Sequence, residues 1–102
     1  MQPISVEELK ARIDAGEALN LLDVREPGEH AEFNIGGTLL PLGKIMTMQY
    51  DEIESWKDEE VICYCRSGNR SGQGCLILET AGFTNIKNLT GGMMAWQDRI
   101  VK

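Results

Sequence analysis

Val61-Ile62-Cys63-Tyr64-Cys65-Arg66-Ser67-Gly68-Asn69-Arg70-Ser71 is the stretch on which the reading of this chain turns. An apolar, β-branched run ends on Cys65, two arginines and a glycine follow, and a helix-like segment opens at Ser71. The order strand, cysteine, cationic loop, helix brings backbone N–H groups and a helix N-terminus around one thiol. Such a position stabilises a thiolate and binds an anion beside it. Gly68 suits a loop this tight, which needs a residue at positive φ.

Upstream, Ser5 caps a helix with Glu8 as its capping-box partner; Val6, Leu9 and Ile13 form the apolar face and Gly16 ends it. Leu19 to Val24 is a short, nearly continuous apolar run, as expected of a strand buried on both faces. Arg25 to His30 turns the chain, with Pro27 in the first turn of a short helix reaching Phe33. Thr38 to Leu42 reads as a second strand whose Pro41 confines it to an edge or an end. Ile45, Met48, Ile53 and Trp56 fall on roughly helical spacing, and Lys57 to Glu60 is a charged turn before the strand Val61–Tyr64.

Downstream, Ser71 to Ala81 is the next helix, closed by Gly82 with Phe83 packing back. Ile86 to Leu89 is a short strand, and Gly91-Gly92 opens a last helix containing Met94 and Trp96. With no repeat and no linker, residues 1–102 read as one domain. The alternation predicts an α/β fold: an open, mostly parallel sheet of about five short strands flanked by helices on both faces. Ligands of such sheets bind beyond the carboxyl ends of the strands, where Cys65 falls.

A chain of 102 residues can build a single core without staples. Its net charge of −6 argues against nucleic acid or an anionic membrane surface as partner, and against an anionic substrate unless the site is locally basic. The Arg66/Arg70 loop is. No apolar run approaches the roughly 20 residues that span a bilayer. Met1-Gln2-Pro3-Ile4 shows no signal peptide, although a chain stripped of its leader would read the same. Three cysteines, an odd count, argue for a reduced compartment, and the expected location is cytoplasmic.

Thiolate is the reactive form of cysteine, and an ordinary thiol with a pKa of about 8.5 holds little of it at neutral pH. Here the N–H groups of residues 66–70, the helix terminus and two arginines would acidify Cys65. The one histidine, His30, lies in a distant turn and reads as a surface residue, so a Cys-His pair is poorly supported. Cys63 and Cys75 read as core. Cys-x-Cys is not a usual zinc spacing, and neither a metal nor a cofactor is expected. Asp23 and Arg25 read as architectural, and Gly72 and Gly74 as small residues that allow close packing. Arg70 is expected to close the cradle and face a bound anion, and Arg66 to point more freely into solvent.

Cys65-Arg66-Ser67-Gly68-Asn69-Arg70-Ser71 resembles the active-site loop of single-domain rhodaneses, the thiosulfate sulfurtransferases and their relatives. Leu22-Asp23-Val24-Arg25-Glu26-Pro27, Pro41-Leu42, Ala81-Gly82-Phe83-Thr84-Asn85 and Leu89-Thr90-Gly91-Gly92-Met93-Met94-Ala95-Trp96 resemble further segments of that family, in order. The resemblance implies that Cys65 takes a sulfur atom from a donor such as thiosulfate, becomes a persulfide, and passes the sulfur to cyanide or a thiol. Arg66, Ser67, Gly68, Asn69 and Arg70 would form the binding loop, supported by Asp23, Arg25 and Ser71. The alternative is a persulfide carrier or interaction module loaded by a partner enzyme, with a protein as sulfur acceptor. Phosphatases that resemble rhodaneses carry Cys-x5-Arg. Cys65 and Arg70 give Cys-x4-Arg, a smaller cradle that favours sulfur over phosphoryl transfer or arsenate reduction. Phe33-Asn34-Ile35-Gly36-Gly37-Thr38 departs from the family's Gly-His-Ile-Pro-Gly-Ala at Asn34 and Gly36.

Overall fold

The computed structural model describes residues 1–101. Its strands are β1 (Gln2–Ile4), β2 (Asn20–Asp23), β3 (Thr38–Leu39), β4 (Glu60–Tyr64) and β5 (Asn85–Leu89). Its helices are α1 (Val6–Asp14), α2 (Pro27–Glu32), α3 (Leu42–Met46), α4 (Asn69–Thr80) and α5 (Gly92–Arg99), with a 3₁₀ turn over Asp51–Trp56. The strands form one sheet in the order β1-β5-β4-β2-β3. Every neighbouring pair is parallel, so the expected mostly parallel sheet is wholly so.

Alternation along β4 explains its continuous apolar run. Val61, Cys63 and Cys65 enter one core with Leu22, Val24, Ile45 and Leu78. Ile62 and Tyr64 enter the other, with Val6, Leu9, Leu89, Met93 and Trp96. Successive side chains of a strand point to opposite faces, and here α3 and α4 cover one face while α1 and α5 cover the other. Truncating a fully buried side chain such as Leu22 to alanine costs about 2–5 kcal/mol.

Local signals place several boundaries. Ser5 and Glu8 form the reciprocal capping box at α1, and Gly16 leaves that helix at φ +78°. Phe83 N–H reaches back to the Leu78 carbonyl at 3.0 Å, and Gly82 has φ +105°, which makes the stop after α4. Other boundaries differ from expectation. β1 goes unseen in the pattern, because three residues around a proline carry no periodicity; its pairing with β5 creates it. The single helical stretch expected over 43–56 divides into α3 and the 3₁₀ turn, with Met48 between them at φ +60°. The Thr38–Leu42 strand shortens to two residues at the sheet edge, and Pro41 instead caps α3. α4 starts at Asn69, two residues before Ser71.

The atypical segment after α2 is closed by its own side chains. Asn34 Nδ2 donates to the His30 carbonyl at 2.9 Å and its Oδ1 accepts from Gly36 N–H at 2.7 Å, with Gly36 at φ +91°. A Cβ on Gly37 would stand 2.6 Å from the Tyr64 hydroxyl, so that glycine is required by contact.

Candidate active site

β4 is the central strand, and the chain leaves its carboxyl end directly into Cys65. Gly68, at φ +105°, turns the backbone so that its N–H donates to Cys65 Sγ at 3.0 Å. Its carbonyl then accepts from Gly72 N–H at 3.0 Å and opens α4. The start of α5 holds the other side of the loop. Met93 N–H donates to the Cys65 carbonyl and Met94 N–H to the Arg66 carbonyl, each at 2.9 Å. A Cβ on Gly92 would lie 2.4 Å from that Cys65 carbonyl, so the close approach needs glycine as much as the φ of +55° does.

Cys65 is 1 % exposed, so a reactant must be small or the loop must open. Burial works against ionisation of the thiol. The backbone N–H groups of Ser71, Gly68 and Ser67 work for it, and the net direction is below an ordinary thiol. The neighbouring Cys75 and burial push the Cys63 thiol up, which keeps it protonated. All three cysteines are free and buried.

The two loop arginines occupy different settings. Arg70 is held by Glu29 of α2, Nη1 to Oε1 at 2.7 Å and Nη2 to Oε2 at 2.8 Å. Its fork is therefore taken by a carboxylate in this structure. Arg66 is exposed and lines a cleft of about 330 Å³ together with Arg25, the carboxylates Glu29 and Glu32, Phe33, Met93 and Met94. Ser67 and Asn69 are exposed on the loop and at the first turn of α4.

Asp23 and Arg25 form a buried unit at the end of β2. Arg25 Nε and Nη2 donate to Asp23 Oδ1 and Oδ2 at 2.9 and 2.8 Å, and Nη2 also reaches the Phe33 carbonyl at 2.5 Å. The Arg25 guanidinium sits 5.7 Å from the centre of the Tyr64 ring. His30, expected at the surface, meets Asp23 Oδ2 through Nδ1 at 2.8 Å and ties α2 to this unit.

Asn88 of β5 went unremarked in the sequence. The register Cys63↔Asn88 brings it beside the loop, where its Nδ2 donates to the Gly68 carbonyl at 3.1 Å and its Oδ1 meets Ser71 Oγ at 2.5 Å. A polar residue near the carboxyl end of a buried parallel strand was the available signal. Among the described residues no group of acidic, histidine or cysteine side chains is arranged to hold a metal. No helix among them is long and apolar enough to cross a membrane.

Residues 5–99 match the Rhodanese-like domain family. A sulfurtransferase of Allochromatium vinosum is 39 % identical over 94 residues, which cover 91 % of this chain and 85 % of that protein. The crystal structure of a rhodanese-like domain protein from Staphylococcus aureus matches with a TM-score of 0.83 at 31 % identity, covering 98 % of this chain and 95 % of that one. The human single-domain sulfurtransferase TSTD1 shares the fold, with a TM-score of 0.81 at 22 % identity over 97 % of each chain.

Proposed function

The chain belongs to the rhodanese-like family, and from that premise we propose that it is a sulfurtransferase working through a persulfide on Cys65. The observation that carries the reading is Cys65 Sγ at the carboxyl end of the central strand, taking the Gly68 N–H at 3.0 Å inside a Cys-x4-Arg loop. The 39 % identity with a sulfurtransferase supports it.

In the first half-reaction the Cys65 thiolate attacks the outer sulfur of thiosulfate. A sulfur–sulfur bond forms to Sγ, and the bond from the outer sulfur to the sulfonate sulfur breaks. Sulfite leaves with that electron pair. In the second half-reaction an acceptor, cyanide or a thiolate, attacks the outer sulfur and returns Cys65 as thiolate. The loop N–H groups are aimed before any reaction at the place where negative charge resides, so no reorganisation is needed during transfer. Among the described residues Arg66 makes no ion pair, and its charge draws an anionic donor to an otherwise acidic protein. The chemistry asks for no cofactor.

The test is thiocyanate formation from thiosulfate and cyanide, run beside a phosphatase assay. Thiocyanate that requires Cys65 supports the reading; phosphate release without thiocyanate overturns it. A persulfide that forms but does not turn over with cyanide or small thiols would instead favour a carrier that passes sulfur to a protein.

A further inference from the structure

We propose that Asn88 sets the acidity of Cys65 by holding the hydroxyl proton of Ser71 away from the sulfur. The inference builds on the reading of Cys65 as the nucleophile and concerns what tunes it. Ser71 is fully buried, and among the described residues its Oγ has two side-chain partners, Cys65 Sγ at 3.4 Å and Asn88 Oδ1 at 2.5 Å. A hydroxyl has one proton to give. Which partner receives it decides whether Ser71 favours the thiolate or the thiol.

The orientation of the Asn88 amide settles the matter. The Gly68 carbonyl can only accept, and it lies 3.1 Å from Asn88 Nδ2. The amide nitrogen must face it, which turns Oδ1 toward Ser71. The reverse orientation would set two carbonyl oxygens against each other at that distance. Oδ1 has no proton, so the proton between it and Ser71 Oγ, 2.5 Å apart, comes from Ser71. The serine therefore presents lone pairs to Sγ. It accepts from a Cys65 S–H and repels a Cys65 thiolate, while the Gly68 N–H acts in the opposite sense.

The other groups around Cys65 do not carry this effect. From α4 comes Arg70, paired to Glu29; from β4 comes Cys63, itself held protonated. From β2 come Asp23 and Arg25, paired to each other. Arg66, next in the chain, lines the cleft. From β5 comes Asn88 and from α5 backbone N–H groups, none of which is charged.

Alkylation of Cys65 by iodoacetamide, followed against pH in the intact chain, reads the thiol itself and needs no sulfur transfer. It therefore stands whether or not the proposed activity is found. Removing the lone pairs in Ser71→Ala should lower the midpoint by roughly half to one pH unit, the scale of one hydrogen bond. An unchanged or raised midpoint overturns the proposal, because a serine that donated to the thiolate would produce a rise. Asn88→Ala should also lower the midpoint, by freeing the hydroxyl to donate to Sγ. Added to Ser71→Ala, it should do nothing further. A general loosening of the loop would act equally in both backgrounds, and that result would also overturn the assignment. Should Asn88→Ala fail to fold, Ser71→Ala alone still decides.

Discussion

Arg70 and Glu29, 41 residues apart, face each other fork to fork with contacts of 2.7 and 2.8 Å. The pair joins α2 to the first turn of α4 and so ties the cysteine loop to the end of β2. Two parallel bonds fix an arginine far better than one. The geometry is that of a brace between two helices.

Arg70→Ala should accordingly lower turnover and thermal stability together, and Glu29→Ala should reproduce both effects. In a double-mutant cycle the second change should add little to the first. Additive losses, measured as thermal midpoints and as kcat for thiocyanate formation, would break the brace argument.

Arg66→Ala should behave differently. Its charge lies over the cleft with no ion-pair partner among the described residues, so the loss should raise KM for thiosulfate by several-fold and leave kcat nearly unchanged. Between about 0.01 and 0.3 M salt the difference from wild type should shrink, since screening weakens an exposed charge. An effect independent of salt would mean direct and buried contact with the donor.

Acid should weaken the fold at two named carboxylates. Arg70 holds Glu29 down at about 2, and Arg12, aided by Lys87, holds Glu60 at about 2. Both values lie below the unfolded value of about 4.3, so the stabilisation is complete above that pH and is lost as pH falls toward 2. Because both side chains are partly exposed, each contributes on the order of 1 kcal/mol at neutral pH. Denaturant midpoints of Glu29→Gln and Glu60→Gln should fall below wild type at pH 7 and converge on it near pH 2. A gap that persists in acid would remove the ion pairs as its cause.

Cys65→Ser should abolish sulfur transfer with the thermal midpoint little changed. Wild-type protein treated with thiosulfate should gain the mass of one sulfur atom on the peptide holding Cys65 and lose it to cyanide. Sulfur found on Cys63 or Cys75 would reassign the nucleophile.

Gly92→Ala tests the support from α5. The added methyl would meet the Cys65 carbonyl at 2.4 Å and the Arg66 carbonyl at 2.8 Å, at a φ of +55°. The expected loss is roughly 2–4 kcal/mol in stability, with sulfur transfer falling as the loop is displaced. Full activity in a folded variant would show that the loop does not depend on that approach.

The sequence by itself determined whatever is written over a few adjacent residues. The buried strand ending at Tyr64, the glycine turn after Cys65, the capping box of Ser5 and Glu8 and the glycine stop after α4 are local patterns of polarity and backbone freedom. Read in order, they carried the mostly parallel α/β fold and the position of Cys65 at the carboxyl end of a buried strand, which the sheet order makes the central one. Tertiary structure alone decided what meets across the sheet. β1 exists only because β5 pairs with it, Arg70 finds Glu29 from another helix, His30 finds Asp23, and Asn88 reaches Ser71 through the register of β5 on β4. The reason is physical: a side chain's hydrogen-bond partner is set by the packing of distant segments, and a single charged or polar residue carries no period that names its partner in advance.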